Sequence, residues 1–127
     1  MKMKTIRSPE VGDAPPQTWS NCKVVGNQVF IAGMTGSGEG TYAQAKTIFQ
    51  KMRHLMEAAG GKMDDLVSIT VFVTHLDDNT EVWRARREFF SGDFPCSTLV
   101  QVDRVGSPQA QPPLRVEINA VGFLGAG

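Results

Sequence analysis

One α+β domain is what this sequence predicts, with strands and helices in the order β-β-α-β-α-β-β and both helices on one face of the sheet. Three observations carry that expectation. Seven apolar residues from Ala45 to Ala59 recur at helical spacing. Val67 to Thr74 is a β-branched run with the two-residue alternation of a strand. A chain of 127 residues has room for one core.

Residues 1–16 read as an extended arm, because Pro15-Pro16 disfavours helix and holds the chain open. Two short strands follow, Cys22–Val25 and Gln28–Ala32. Gly26-Asn27 between them suits a two-residue hairpin turn. Gly36-Ser37-Gly38-Glu39-Gly40 is a loop before the first helix. It lacks the strand, lysine and helix context of a phosphate-binding loop, and Glu39 puts a negative charge inside it.

In the first helix Ala45, Ile48, Phe49, Met52, Leu55, Met56 and Ala59 form one apolar stripe. Thr41 is the expected N-cap, and Gly60-Gly61 the C-terminal stop. The next strand should turn Val67, Ile69, Val71 and Val73 to one side and Ser68, Thr70, Phe72 and Thr74 to the other. Asp77 or Asp78 can cap the second helix, expected to reach about Phe90. Ser97–Val102 and Leu114–Phe123 are the last strands. Residues 103–113, rich in Pro, Gly and Gln, connect them, and residues 124–127 read as a loose tail. With two helices covering one face, the apolar groups of the other face, Phe72 and Leu99 among them, need a second copy of the chain to cover them.

Thirteen basic and thirteen acidic residues cancel, which argues against a nucleic-acid binder. Arg84, Arg86 and Arg87 crowd one segment, read as a solvated helix face. No apolar run is long enough to span a bilayer. The first residues lack an apolar leader, so a cytoplasmic protein is expected. Cys22 and Cys96 lie far apart without metal-ligand spacing, which reads as free thiols and no metal.

Several segments together carry a family likeness. They are 26–33 (Gly-Asn-Gln-Val-Phe-Ile-Ala-Gly), Gln44-Ala45, 55–60, 64–67, 71–74, Phe89-Phe90, Phe94-Pro95 and 116–121. In order and spacing they resemble the Rid/YjgF family of enamine/imine deaminases. The resemblance implies a chorismate-mutase-like fold, a homotrimer, and a small-molecule site in the cleft between neighbouring subunits. It implies no metal or organic cofactor, no nucleic acid and no membrane.

Carried over by position, the resemblance makes Glu117 the acid that moves water and protons. Ser97 falls where family deaminases hold an arginine that grips the substrate carboxylate. Trp19, Gly33, Met34, Trp83 and Thr98 fall at ligand-lining positions. With a hydroxyl and two indoles in place of a guanidinium, a phenol and an amide, the implied substrate differs from the common 2-imino acids. Apart from the family, Glu117 could pair with Arg115 or Arg104, and the two tryptophans could be core or subunit-contact groups. Cys96 reads as a small buried thiol, or as a nucleophile if a bulge turns it toward the pocket. The functions to be weighed are an enamine/imine hydrolase, a non-catalytic metabolite-binding trimer, and the endoribonuclease or translation inhibitor of older family labels.

Overall fold

The computed structural model describes residues 2–127, so the first residue of the expected arm lies outside the described residues. Six strands form one sheet in the order β1-β2-β3-β6-β4-β5. They are β1 (Met3–Thr5), β2 (Cys22–Val25), β3 (Gln28–Met34), β4 (Leu66–Val73), β5 (Cys96–Gln101) and β6 (Val116–Phe123). Neighbours are antiparallel except β4 and β5, which run parallel. The parallel pair needs a crossover, and α2 (Asn79–Arg86) lies within it. The longer helix is α1 (Gly40–Ala58).

The arm is not wholly unpaired. Met3, Lys4 and Thr5 pair with Val25, Val24 and Lys23 and add an edge strand ahead of the expected hairpin. In the hairpin turn Gly26 alone takes a positive φ, of 63°. The tail also differs from expectation, because backbone and side-chain acceptors hold its N–H groups. Leu124 N donates to Asn27 O at 2.8 Å, and Gly127 N to Asp65 Oδ1 at 2.7 Å. Asp65 is buried; burial raises its carboxyl pKa, but backbone donors from Gly127, Lys62 and Gly125 outweigh that and lower it overall.

One face of α1 supplies the core. Ile48, Phe49, Met52 and Met56 are wholly buried among the inward residues of β3, β4 and β6. Phe49 packs its ring against Phe89 at 5.6 Å and Phe90 at 6.0 Å, which ties α1 to the turn after α2. Glu39, not Thr41, holds the N-cap position of α1. Thr41 is the second residue of the helix, and its hydroxyl donates to Asp78 Oδ2 at 2.7 Å. At the other end Gly60 has φ 89°, Gly60 N donates to Glu57 O at 3.0 Å, and Gly61 N to Met56 O at 2.8 Å. That reciprocal pair is the left-handed glycine stop expected there.

Two further expectations shift by a few residues. α2 ends at Arg86, short of Phe90, because the chain tightens into three-residue turns, Glu88 N to Ala85 O and Phe89 N to Arg86 O. Asp78 precedes α2, but its carboxylate turns to Thr41 and Arg115 and caps nothing. In β4 a register shift between Leu66 and Ser68 leaves Leu66 buried and Val67 half-buried, so the inward set is Leu66, Ile69, Val71 and Val73.

Strand pairing fixes which side chains share a face. Val71 stands beside Ile118 and Leu99, all on the helix side, so Leu99 packs on the core and Val100, not Leu99, joins Phe72 on the uncovered face. Phe72 stands beside Glu117 and Val100 on the open side, and Phe30 beside Val121 likewise. Among the described residues no helix covers this open face. Phe30 is 42% exposed, Val100 40% and Phe123 37%. Among the described residues no helix is long and apolar enough to cross a membrane.

Candidate functional site

Glu117 lies between Val116 and Ile118, both fully buried on the helix side, so strand alternation sends its carboxylate to the open face. Opposite it β3 is irregular. Ile31 pairs with Ala120 and Met34 with Ile118, so β3 carries one residue more than β6 over that stretch. The extra residue makes a bulge, and the bulge brings the bare backbone of Gly33 against the Glu117 side chain. The cavity there is about 510 Å3 and is lined by Trp19, Gly33, Thr35, Ser107 and Glu117 among others. Trp19 is 57% exposed, and its Nε1 donates to Asn21 Oδ1 at 3.2 Å, which steadies the indole over the cavity.

The bases that might neutralise Glu117 are engaged elsewhere. Arg115 Nη2 lies 2.8 Å from Asp78 Oδ2, and Arg104 lies 3.6 Å from Asp103. Among the described residues Glu117 has no ion pair. Its strand is anchored from below. The buried Gln44 accepts from Arg115 N at 2.8 Å and donates to Pro113 O at 2.9 Å and Gly38 O at 3.1 Å. One amide thus joins the glycine loop, α1 and the start of β6. A Cβ on Gly36 would strike the Gln44 carbonyl, and Gly38 has φ 117°.

Ser97 belongs to a second locus. It pairs with Ile69, a helix-side residue, so its hydroxyl lies on the face opposite Glu117. There Arg86 of α2 donates from Nη2 to Ser97 Oγ at 3.0 Å. Arg86 is half-buried, and its Nε is buried without a hydrogen-bond partner. Withdrawal from water, and then the like charge of Arg87, lower the Arg86 guanidinium from its ordinary pKa. Among the described residues neither Arg86 nor Arg87 has a carboxylate within ion-pair distance. Beside them is a cavity of about 170 Å3 lined by Trp83, Arg86, Arg87 and Phe94.

The residues singled out from sequence therefore form two clusters. Trp19, Gly33 and Glu117 share one cavity, whereas Trp83 lines the other. Met34 is buried on the helix side and lines a smaller neighbouring cavity with Gly33 and Lys51. Thr98 pairs with Thr70 and faces the open side, away from Ser97. The bulge that would bring Cys96 to Ser97's face is absent, since β4 and β5 pair without a shift from Ser68–Cys96 to Val73–Gln101. Cys96 is exposed, not buried. Among the described residues no group of three or more His, Cys, Asp or Glu could hold a metal ion.

Two charged residues escaped the sequence reading. Arg86 does not belong to a solvated face: it is half-buried, follows Trp83 by three positions and shares its side of the helix. Lys51 leaves the wet side of α1, and its Nζ donates to Thr35 O at 2.8 Å beside Gly33. Burial lowers its ammonium pKa.

These features describe a small α+β domain with an acid over a bulge glycine on the open face of its sheet. The family model for endoribonuclease L-PSP matches residues 11–123. A 2-iminobutanoate/2-iminopropanoate deaminase of Dermatophagoides farinae is 28% identical over 95% of this chain and 97% of its own. Among solved structures, a protein of unknown function from Pseudomonas aeruginosa is 36% identical with a TM-score of 0.87, covering 98% of this chain and 94% of that one. RidA of an Antarctic Psychrobacter is 29% identical with a TM-score of 0.83, covering 95% and 99%. The chain belongs to the Rid/YjgF family, that of the endoribonuclease L-PSP model.

Proposed function

We propose that this protein is a homotrimeric hydrolase of imines or their enamine tautomers, with Glu117 and Ser97 meeting in a cleft between two copies. The observation that carries the reading is the Glu117 carboxylate, free of any ion pair among the described residues and laid over the Gly33 backbone in an open cavity. The deaminase relative of Dermatophagoides farinae supports the reaction class.

The chemistry asks for little. Water adds to the electrophilic carbon of C=N, the nitrogen takes a proton, and the amino alcohol collapses to a carbonyl compound and ammonia. Glu117 accepts the proton as the water attacks and returns it to the departing nitrogen. Such proton transfer is worth roughly 10²- to 10⁴-fold in rate. Ser97 offers a hydroxyl to a polar atom of the substrate. Within one chain the two side chains lie on opposite faces of the sheet, so an adjoining copy is needed to bring them to one ligand.

The test is ammonia release from imines generated in situ, with wild type, Glu117→Gln and Glu117→Ala. At least a hundredfold loss in both variants, with melting unchanged, is the expected result. Equal rates in all three would remove Glu117 and the proposed reaction with it. The second reading, a trimer that captures a metabolite without turning it over, gains from Ser97, which lacks a family deaminase's guanidinium. Saturable binding without ammonia release would favour it. An RNA-cleaving reading gains nothing from the histidines, since His75 Nδ1 is engaged with Thr74 Oγ1 at 3.0 Å and His54 lies 4.0 Å from Glu57.

A further inference from the structure

We propose that Arg86, carried on α2, is this chain's carboxylate anchor, and that the pocket it shares with Trp83, Arg87 and Phe94 receives a planar carboxylate.

The argument starts from charge. Two guanidiniums stand side by side, and among the described residues neither meets a carboxylate within ion-pair distance. A half-buried cation without a counter-ion is unfavourable unless something present in solution offsets it. Arg86 is also held by one contact, Nη2 donating to Ser97 Oγ at 3.0 Å, and its buried Nε has no partner. A guanidinium fixed in this way is pre-organised for a flat, two-oxygen anion. The serine that takes the place of an arginine on β5 thus serves as a rest for an arginine from the neighbouring helix.

The walls give the ligand its shape. Trp83 is 41% exposed and Phe94 50%, and both border the same cavity as the two arginines. Exposed aromatic faces beside cations suit a conjugated or aryl-bearing acid better than a short aliphatic one. At about 170 Å3 the cavity is smaller than the roughly 300–1,000 Å3 of complete small-molecule sites, so it forms one part of a larger site. The proposal rests on the hydrolase reading only in taking that remainder to be the Glu117 cavity of an adjoining copy.

Benzoate and its uncharged counterpart benzamide are the probes, titrated into the assembled protein by calorimetry with tryptophan fluorescence as a second readout. The expected result is benzoate binding at least tenfold tighter than benzamide. Arg86→Gln should weaken benzoate at least tenfold and leave benzamide unchanged. Arg86→Lys keeps a charge but loses the fork, and should fall between; it carries the test if the glutamine variant melts early. Benzoate affinity that is equal in wild type and both variants, or no tighter than that of benzamide, overturns the proposal. The two readings fail separately. Arg86-dependent benzoate binding in a protein that releases no ammonia keeps the anchor and removes the hydrolase. Imine hydrolysis with KM unchanged in Arg86→Gln does the reverse.

Discussion

Gly33 and Glu117 are packed so closely that a Cβ on the glycine would lie 2.5 Å from Glu117 Oε2 and 3.1 Å from its carboxyl carbon. The atom in the way is the end of a flexible side chain, so Gly33→Ala should fold and displace the carboxylate. We expect a stability change under about 1 kcal/mol, since exposed sites away from the core are forgiving. The rate of imine hydrolysis should fall about a hundredfold, the scale that a misplacement of an ångström produces. Thermal melting and the ammonia assay on one preparation check both halves. A large loss of stability with an unchanged rate per folded molecule would mean that the glycine serves the fold alone.

The Asp78–Arg115–Thr41 cluster gives a prediction about acid. Burial raises the Asp78 carboxyl pKa, but hydrogen bonds from Thr41 and Arg115 and the charge of Arg115 outweigh it, so the carboxyl titrates below its ordinary value. Its pKa is therefore lower folded than unfolded. Its contribution is complete above the unfolded value of ~3.9 and is lost as pH falls through the folded one. Arg115→Gln should cost about 1.5–3 kcal/mol at pH 7, the range for a charged hydrogen bond. The gap to wild type should narrow as pH drops below about 4. Paired melts at pH 7 and pH 3 measure it, and a gap that stays constant would remove Asp78 as the cause.

Most of the fold could be read from periodicity, because α1 shows one buried face throughout and β4 does so from Ile69 to Val73, beyond the shift at its start. What escaped depends on chain crossings. Met3–Thr5 is only three residues long with no clear alternation, and only the edge of β2 makes it a strand. Thr41 looked like a cap because nothing local revealed Asp78 across the fold. The site divided in the same way. Glu117 and Gly33 could be placed by family position, but their contact comes from a bulge that alternation does not forecast. Arg86 needed α2 laid against β5, which no spacing along the chain expresses.

The two thiols should respond differently to alkylation. Burial pushes Cys22 up to about 11, whereas Cys96 is exposed. At pH 8 a thiol of that pKa is thiolate in only about one molecule per thousand, and Cys22 is also shielded by the core. Iodoacetamide at pH 8 should leave Cys22 unmodified in the folded protein and label it once denaturant is added, as peptide mapping would register. Cys96→Ala should retain the hydrolytic rate within about twofold, because an unbulged β5 gives this thiol no place beside Ser97. Loss of turnover in that variant would restore it as a nucleophile.

The open face of the sheet supplies the test of assembly. Phe30, Phe72, Val100 and Val121 share it, and no helix covers them. Phe30 is 42% exposed in the single chain and lies outside the buried core, so Phe30→Asp should leave the monomer fold intact. In an assembly that covers this face the new carboxylate would be stripped of water, at a cost of several kcal/mol. Light scattering at micromolar concentration should then report three chains for wild type and one for the variant. Circular dichroism should be the same for both. Because Glu117 and Ser97 lie on opposite faces of one sheet, dissociation should also abolish ammonia release while both residues remain in the chain. A monomeric variant that hydrolyses imines at the wild-type rate would show that one copy suffices, and the divided site would have to be abandoned.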